Sequence, residues 1–139
     1  MMALTGSYQH TIDAKGRLFI PAKLREELGD VFYLAMGMDG CLAIYSEESW
    51  AGFMDKVSML PSAETRAMRT FFANANKCEL DSQGRILIPQ KLRVYAGLEK
   101  EVVVNGAQNR VEIWDAFKWN KMEDLSAESL LSVMKTLGL

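Results

Sequence analysis

The alternation of apolar and polar residues predicts a short strand over residues 8–12. Residues 13–16 carry the Asp and Gly of a type I turn, since Asp suits the first position of that turn and Gly the fourth. The chain is then expected to return in a strand over residues 17–20. A helix of about two turns follows from Pro21 and stops at Gly29. A helix this short needs tertiary packing to be stable.

The same reading predicts a strand over residues 31–36, a turn over residues 37–40 and a strand over residues 41–45. Ser46 is a suitable N-cap for the next helix, because its hydroxyl can accept a hydrogen bond from a free helical amide. That helix is expected to bury one face, whose apolar residues recur at helical spacing: Trp50, Phe53, Met54 and Val57.

The pattern then repeats at a distance of 68 residues. Residues 13–29 and 81–97 share nine identities in seventeen positions, where average composition gives about one. The chain therefore contains the same small module twice. In the second copy we expect a strand over residues 102–104, a turn beginning at Asn105 and a helix capped by Asp115.

Two further serines are predicted to begin helices outside the modules. Ser62 follows a proline and is expected to cap a helix over residues 63–73. Ser126 is expected to open a last helix that is amphipathic, with the apolar residues Leu130, Leu131, Met134 and Leu137.

The repeat predicts four parts of the chain: module 1 (residues 7–49), a helical connector (50–76), module 2 (77–120) and a C-terminal helix (121–139). Each module has about 40 residues, near the lower limit for folding alone without metals or disulfides. We therefore expect the two copies to share one core, interleaved about a pseudo-twofold axis.

Composition places the chain among globular proteins, with 49% hydrophobic and 24% charged residues. No apolar run is long enough to span a bilayer and no signal pattern opens the chain, so we expect a cytoplasmic protein without a membrane partner. Cys41 and Cys78 fit no metal-ligand spacing, and the chain has a single histidine. Buried reduced thiols are expected, with neither metal nor cofactor.

Nothing in the sequence assembles a nucleophile, a base and oxyanion donors, so we expect neither an enzyme nor a small-molecule substrate. The formal net charge of −2 argues against holding a polyanion by bulk charge, but it allows a local basic face. Four basic residues cluster at the turn and early helix of the first copy: Lys15, Arg17, Lys23 and Arg25.

The repeated chemistry is an aspartate four residues before an arginine, with a glycine directly before the arginine: Asp13, Gly16 and Arg17, then Asp81, Gly84 and Arg85. In one interpretation the arginine holds a phosphate or a guanine through two hydrogen bonds, and the glycine allows close approach to the backbone. In the other, the aspartate caps the turn and pairs with the arginine across its neck. Residue types alone leave the two equally open.

The doubled motif, in residues 8–17 and 78–85, resembles the MraZ family of bacterial transcription regulators, as do residues 40–42 and 109–115. The resemblance covers about residues 5–120. It implies a mainly β fold with short helices (α+β), in which two swapped-hairpin modules of one chain interleave. The expected product is a double-split β-barrel like that of the AbrB/MazE/SpoVT superfamily, followed by a C-terminal helix.

The resemblance also implies a sequence-specific regulator that binds double-stranded DNA at short direct repeats upstream of its own operon, the division and cell-wall genes. It implies a ring-shaped homo-oligomer associated with the nucleoid. The expected DNA contacts are Lys15, Arg17, Arg85, Lys23 and Arg25, with Asp13, Gly16, Asp81 and Gly84 orienting the turns. Gln83 stands where the first copy has Lys15, so the first copy is the better candidate for DNA contact.

A rival interpretation is an antitoxin-like module that masks a partner protein. Its basis is the last predicted helix, because the apolar face over residues 126–137 is wide enough to lie in a groove of another protein. The mass of the assembly, with a gel shift on repeated and scrambled DNA, separates the two interpretations.

Overall fold

The structure is a computed structural model that describes residues 3–139. Within that range the fold is α+β, with eight antiparallel strands and seven helices. In chain order they are β1 (Ser7–Thr11), β2 (Arg17–Phe19), α1 (Ala22–Leu28), β3 (Val31–Met36), β4 (Leu42–Ser46), α2 (Glu47–Ser58), α3 (Ser62–Ala67), α4 (Arg69–Ala73), β5 (Asn76–Glu79), β6 (Arg85–Leu87), α5 (Gln90–Ala96), β7 (Glu101–Gly106), β8 (Val111–Asp115), α6 (Ala116–Leu125) and α7 (Ala127–Thr136). A single 3-10 turn, Met38–Gly40, joins β3 to β4.

Strands of the two copies are intermixed in one six-stranded sheet in the order β1-β7-β8-β4-β3-β5. β1 pairs with β7 and β5 pairs with β3, so the first strand of each copy pairs with the third strand of the other. The two pairings have the same register: Thr11 lies opposite Glu101, and its counterpart Glu79 lies opposite Val31. The interleaving expected from the repeat is therefore present. The six strands do not close on themselves within residues 3–139, so the double-split barrel remains a prediction.

The remaining strands, β2 and β6, form a separate two-stranded ribbon whose centre is the pair Leu18 and Ile86. Both of these side chains are buried. Two further hydrogen bonds extend the ribbon, from Ile20 N to Gly84 O (3.0 Å) and from Ile88 N to Gly16 O (2.8 Å). We call the two turns that carry the aspartate and arginine of the motif, residues 13–17 and 81–85, the Asp–Arg turns. Each of them is hydrogen-bonded to the other copy through the carbonyl of its glycine.

A single hydrophobic cluster contains buried residues of both copies. Its largest members include Leu18, Leu24, Phe32 and Leu34 from the first copy and Ile86, Ile88, Leu92 and Ile113 from the second. The two copies share one core, as expected for modules too small to fold alone. None of the helices in residues 3–139 has the length and apolarity needed to cross a membrane.

Local signals placed most helix ends correctly. Ser46 Oγ accepts a hydrogen bond from Ser49 N (3.1 Å), and an Asp115 carboxylate oxygen accepts one from Lys118 N (3.3 Å), which confirms both predicted N-caps. Gly29 has φ 82° and its N–H donates to Arg25 O, so the first short helix ends there.

The connector differs from its prediction. The prediction of one helix over residues 63–73 is wrong. The helix is interrupted at Met68 (φ −79°, ψ −3°), and the chain forms two short helices, α3 and α4, instead. Ser62 is the first helical residue and makes no side-chain cap. The break lets Phe71 and Phe72 of α4 pack on Trp50, with ring centroids 5.9 and 6.4 Å from that of the tryptophan.

One other predicted boundary is also wrong. Asn105 lies inside β7, which continues through Gly106 because Gly106 N donates to Gly6 O (2.8 Å) and so ties the N-terminal segment to the end of the strand. Ser126 opens the last helix as predicted, since it is the N-cap residue of α7, although its side chain makes no cap hydrogen bond. Its hydroxyl donates instead to Glu123 O (3.2 Å) of the preceding helix.

The ribbon centre allows a matched test of the shared core. Ile86 is 2% exposed and its neighbour Leu87 is 59% exposed. We expect Ile86→Ala to lower the free energy of unfolding by about 2–5 kcal/mol, whereas Leu87→Ala changes it by less than about 0.5 kcal/mol. Urea unfolding at one protein concentration measures both variants through Trp50 of the first half and Trp114 and Trp119 of the second. Separate transitions for the two halves would contradict the shared core.

Candidate nucleic-acid interface

The first Asp–Arg turn is built around the carboxylate of Asp13. Oδ1 accepts hydrogen bonds from Lys15 N and Arg17 N, both at 2.9 Å, and Oδ2 accepts one from Arg17 Nε at 2.7 Å. Gly16 N donates to Asp13 O (3.0 Å), and Asp13 N donates to Arg17 O (3.0 Å). Gly16 has φ 86°, a conformation that favours glycine, so the residue types of the motif dictate this turn.

The second turn has the same construction around Asp81. Oδ1 accepts from Gln83 N (2.8 Å) and Arg85 N (2.9 Å), and Oδ2 accepts from Arg85 Nε (3.0 Å). Arg85 Nη1 also lies 3.6 Å from Asp13 Oδ2, so this arginine stands between both carboxylates. The two turns therefore lie side by side at the ribbon.

These hydrogen bonds hold both carboxylates in their ionised form. Chiefly the backbone N–H of Arg17, and then its side chain and the N–H of Lys15, lower the pKa of Asp13 to about 2. The equivalent bonds from Arg85 and Gln83 lower the pKa of Asp81. Each turn is thus set by a charge that stays negative at neutral pH.

The structure bears on both interpretations of the motif that the sequence left open. The aspartates do cap the turns and pair with the arginines, as in the purely structural interpretation. Yet the arginines keep accessible surface, since the side chain of Arg17 is 36% exposed and that of Arg85 is 25% exposed. Lys15 is exposed on the first turn.

The two basic residues of the first short helix are placed differently from each other. Lys23 is exposed. Arg25 is half-buried, with its guanidinium carbon 5.2 Å from the centre of the Phe19 ring, a cation–π contact. Its Nε is buried without a hydrogen-bond partner among residues 3–139. A Cβ built on Gly84 would lie 2.9 Å from Arg25 Nη1, so this arginine packs against the second turn.

Arg93 of α5 is a site residue that is not among the DNA contacts expected from the sequence. A Cβ built on Gly16 would lie 3.0 Å from Arg93 Cζ, so its guanidinium packs against the first turn. Its Nε donates to Ile88 O (3.0 Å). The repeat pairs Arg93 with Arg25, which is the signal that could have found it, but neither copy alone shows that the side chain reaches across to the other.

Other chemistry is sparse across the described chain. No group of three or more His, Cys, Asp or Glu residues within residues 3–139 could hold a metal ion. Cys41 and Cys78 are free and buried, as expected, and burial raises their pKa values to about 12 and about 11. The imidazole of His10 lies 5.3 Å from the ring of Phe19, in keeping with a histidine that packs on its strand.

Fold and site together define a class of protein: a duplicated hairpin protein that presents two arginine-bearing turns beside one ribbon. The family model of the MraZ protein, described as antitoxin-like, matches the chain twice, over residues 3–70 and 71–137. The chain belongs to the MraZ family.

Several relatives carry the name "Transcriptional regulator MraZ". That of Acetivibrio thermocellus is 51% identical over 96% of this chain and 98% of its own length. That of Heliobacterium modesticaldum is 50% identical over 95% and 94%. That of Moorella thermoacetica is 53% identical over 84% and 83%. The similarity thus extends over almost the whole chain and is not confined to the motifs.

The low pKa of Asp13 predicts acid sensitivity with a definite sign. Because the pKa is lower in the folded state than the ordinary value of about 3.9, the carboxylate stabilises the fold at all pH values above about 4. That contribution is lost as pH falls from about 4 to about 2. We expect the stability gap between the wild type and Asp13→Asn to narrow over this interval, as measured by thermal unfolding at each pH. A gap that does not change with pH would contradict the assignment.

Proposed function

We propose that this chain is a DNA-binding transcriptional regulator that contacts DNA with its Asp–Arg turns. The observation that carries the proposal is the first turn, in which Asp13 fixes Arg17 while Lys15 stays exposed beside it. The names of its relatives as transcriptional regulators support the same conclusion. Lys15, Arg17 and Lys23 are the proposed principal contacts, with Arg85 and Arg25 from the neighbouring positions.

Preorganisation is the physical reason why this turn suits a phosphate or a base edge. Asp13 binds Arg17 through Nε, and the terminal nitrogens of that guanidinium have no protein partner within residues 3–139. Those two nitrogens can donate bidentately to a phosphate or to guanine O6 and N7. Because the side chain is already held, less conformational entropy is lost on binding.

The second turn is the weaker contact. Gln83 replaces the lysine of the first copy, so the charge of Asp81 is balanced by Arg85 alone. Arg85 is also less exposed than Arg17 and is attracted to Asp13 as well. The first copy therefore supplies most of the affinity, and the second copy orients the ribbon.

The proposal includes the swapped-hairpin barrel and a ring-shaped homo-oligomer in the cytoplasm, associated with the nucleoid. The target is a set of short direct repeats upstream of the protein's own operon, which carries division and cell-wall genes. A ring would compensate for the low affinity of a single chain for DNA. Because the chain has a net charge of −2, we expect one chain to bind a single site weakly. Several identical faces that meet several repeats raise the effective concentration of each contact.

Binding to a protein partner is a second candidate function, because the apolar residues of the last helix, α7, are largely exposed to solvent. Three apolar residues of α7 and the leucine directly after it are between 56% and 69% exposed: Leu130, Leu131, Val133 and Leu137. An amphipathic helix of this kind can lie in the groove of a partner. The antitoxin-like description of the family model fits this second candidate.

Substitution of Arg17 tests the proposed contact. Arg17→Ala is expected to abolish specific DNA binding in a gel shift on the upstream DNA of the operon, because it removes the guanidinium that the turn presents. The assembly mass should stay unchanged, since Arg17 is half-exposed and outside the core. Arg66→Ala, at an exposed arginine of the connector, is the matched control and should bind as the wild type does. Wild-type affinity in Arg17→Ala would show that the contact is wrongly assigned.

Repeat number tests the avidity of the ring. Affinity for DNA carrying one repeat should be at least about 100-fold weaker than for DNA carrying several, because simultaneous contacts raise avidity by about 10²–10⁴. Fluorescence anisotropy on DNA of equal length with one or several intact repeats measures the ratio, with scrambled repeats as the control. Equal dissociation constants would refute the multivalent arrangement.

A further inference from the structure

The position of Arg93 gives the first turn a cationic side chain that its own copy does not contain. Arg93 Nε donates to Ile88 O, and Ile88 N donates to Gly16 O, so the guanidinium is joined to the turn through one backbone residue. A Cβ on Gly16 would lie only 3.0 Å from the guanidinium carbon, so the side chain of Arg93 packs closely against this glycine. The side chain is therefore fixed against the turn and is not a freely solvated helix residue.

The rest of the guanidinium remains available for a ligand. Arg93 is half-buried, and its terminal nitrogens have no hydrogen-bond or ion-pair partner within residues 3–139. Arg93 also lines an open groove of about 920 Å³ beside residues 13 and 14 of the first turn, and the other charged residues of this groove are Asp13, Glu99 and Lys100. A phosphate can therefore approach Arg93 from the same side as the first turn.

Arg93 raises the net positive charge at the first turn. Asp13 cancels one of the two positive charges of Lys15 and Arg17, so the first turn by itself has one net positive charge. Arg93 lies beside Gly16 and doubles that charge. A planar guanidinium held through Nε is suited to donate two hydrogen bonds to one phosphate.

We propose that Arg93, from the second copy, completes the DNA-contact turn of the first copy by holding a backbone phosphate beside Lys15 and Arg17. This inference rests on the proposed function and extends it, because it makes each contact surface a product of both modules. The equivalent Arg25 is held differently: it stacks on Phe19 and its Nε is buried without a partner within residues 3–139, whereas Arg93 Nε is fixed by Ile88 O.

The salt dependence of DNA binding separates a phosphate contact from a structural role. Each lost phosphate contact lowers the slope of log affinity against log salt concentration by about 0.9. We expect Arg93→Gln to lower that slope by about 0.9 per engaged chain and to weaken binding about tenfold. Since phosphates carry no sequence information, repeat DNA and scrambled DNA should weaken in the same proportion. Fluorescence anisotropy from 50 to 300 mM KCl, a range of about sixfold, gives both quantities.

Lys91→Gln is the matched control, because it removes the same charge from an exposed position of the same helix. Its slope should equal that of the wild type. Arg93→Met is the second test variant, since it keeps the apolar stem of the side chain, and thermal unfolding and assembly mass show which variants fold. An unchanged slope in any folded Arg93 variant overturns the inference, as does an equal loss in Lys91→Gln.

The inference and the proposed function fail in different ways. If Arg17→Ala abolishes specific binding while a folded Arg93 variant keeps the wild-type slope, only the role of Arg93 is wrong. If Arg17→Ala binds repeat DNA as the wild type does, the proposed contact surface is wrong, and the role of Arg93 falls with it.

Discussion

Hydrogen bonding between strands of different copies is the constraint on which the structure depends. The strand that follows each Asp–Arg turn has only three residues, too few to form a stable pair without support from the rest of the fold. Within residues 3–139 the two strands pair only with each other, and their flanking amides bond to the glycine carbonyls Gly16 O and Gly84 O of the opposite turns. The local sequence specifies each turn, but the strand pair that positions the turn forms only when both copies fold together. A stable core and a presented arginine are consequences of the same pairing.

The sequence predicts those parts of the fold that local chemistry determines. The Asp and Gly positions specify the turns, the apolar pattern specifies the strands, and Ser46 and Asp115 specify the starts of two helices, because each signal acts within a few residues. It fails where distant residues decide, as at Met68, where aromatic packing on Trp50 accompanies the break in the connector. The exact end of β7 likewise depends on Gly6, a residue 100 positions away.

The candidate site shows the same division. The aspartate, glycine and arginine of each turn are evident from the repeat, but the neighbours of each turn are not. Tyr95 donates to Gly37 O (2.7 Å), and Lys118 Nζ donates to Gly40 O (3.0 Å), so residues of the second copy also hold a loop of the first. Arg93 belongs to this group of contacts between copies. Since the repeat describes each copy separately, it contains no information about which turn a helix will face.

Two carboxylates beside the proposed contact surface would seem to oppose the binding of a polyanion, and their low pKa values keep them charged at neutral pH. The geometry resolves this conflict. Each aspartate removes one unit of positive charge from its turn, but it fixes two backbone amides and one arginine in return. Bulk attraction is weak for a chain of net charge −2, so affinity must come from cations that are already in position. Asp13 therefore contributes to DNA binding by holding Arg17 in position before the DNA arrives. The conformational entropy saved in this way outweighs the electrostatic attraction that the negative charge of Asp13 removes.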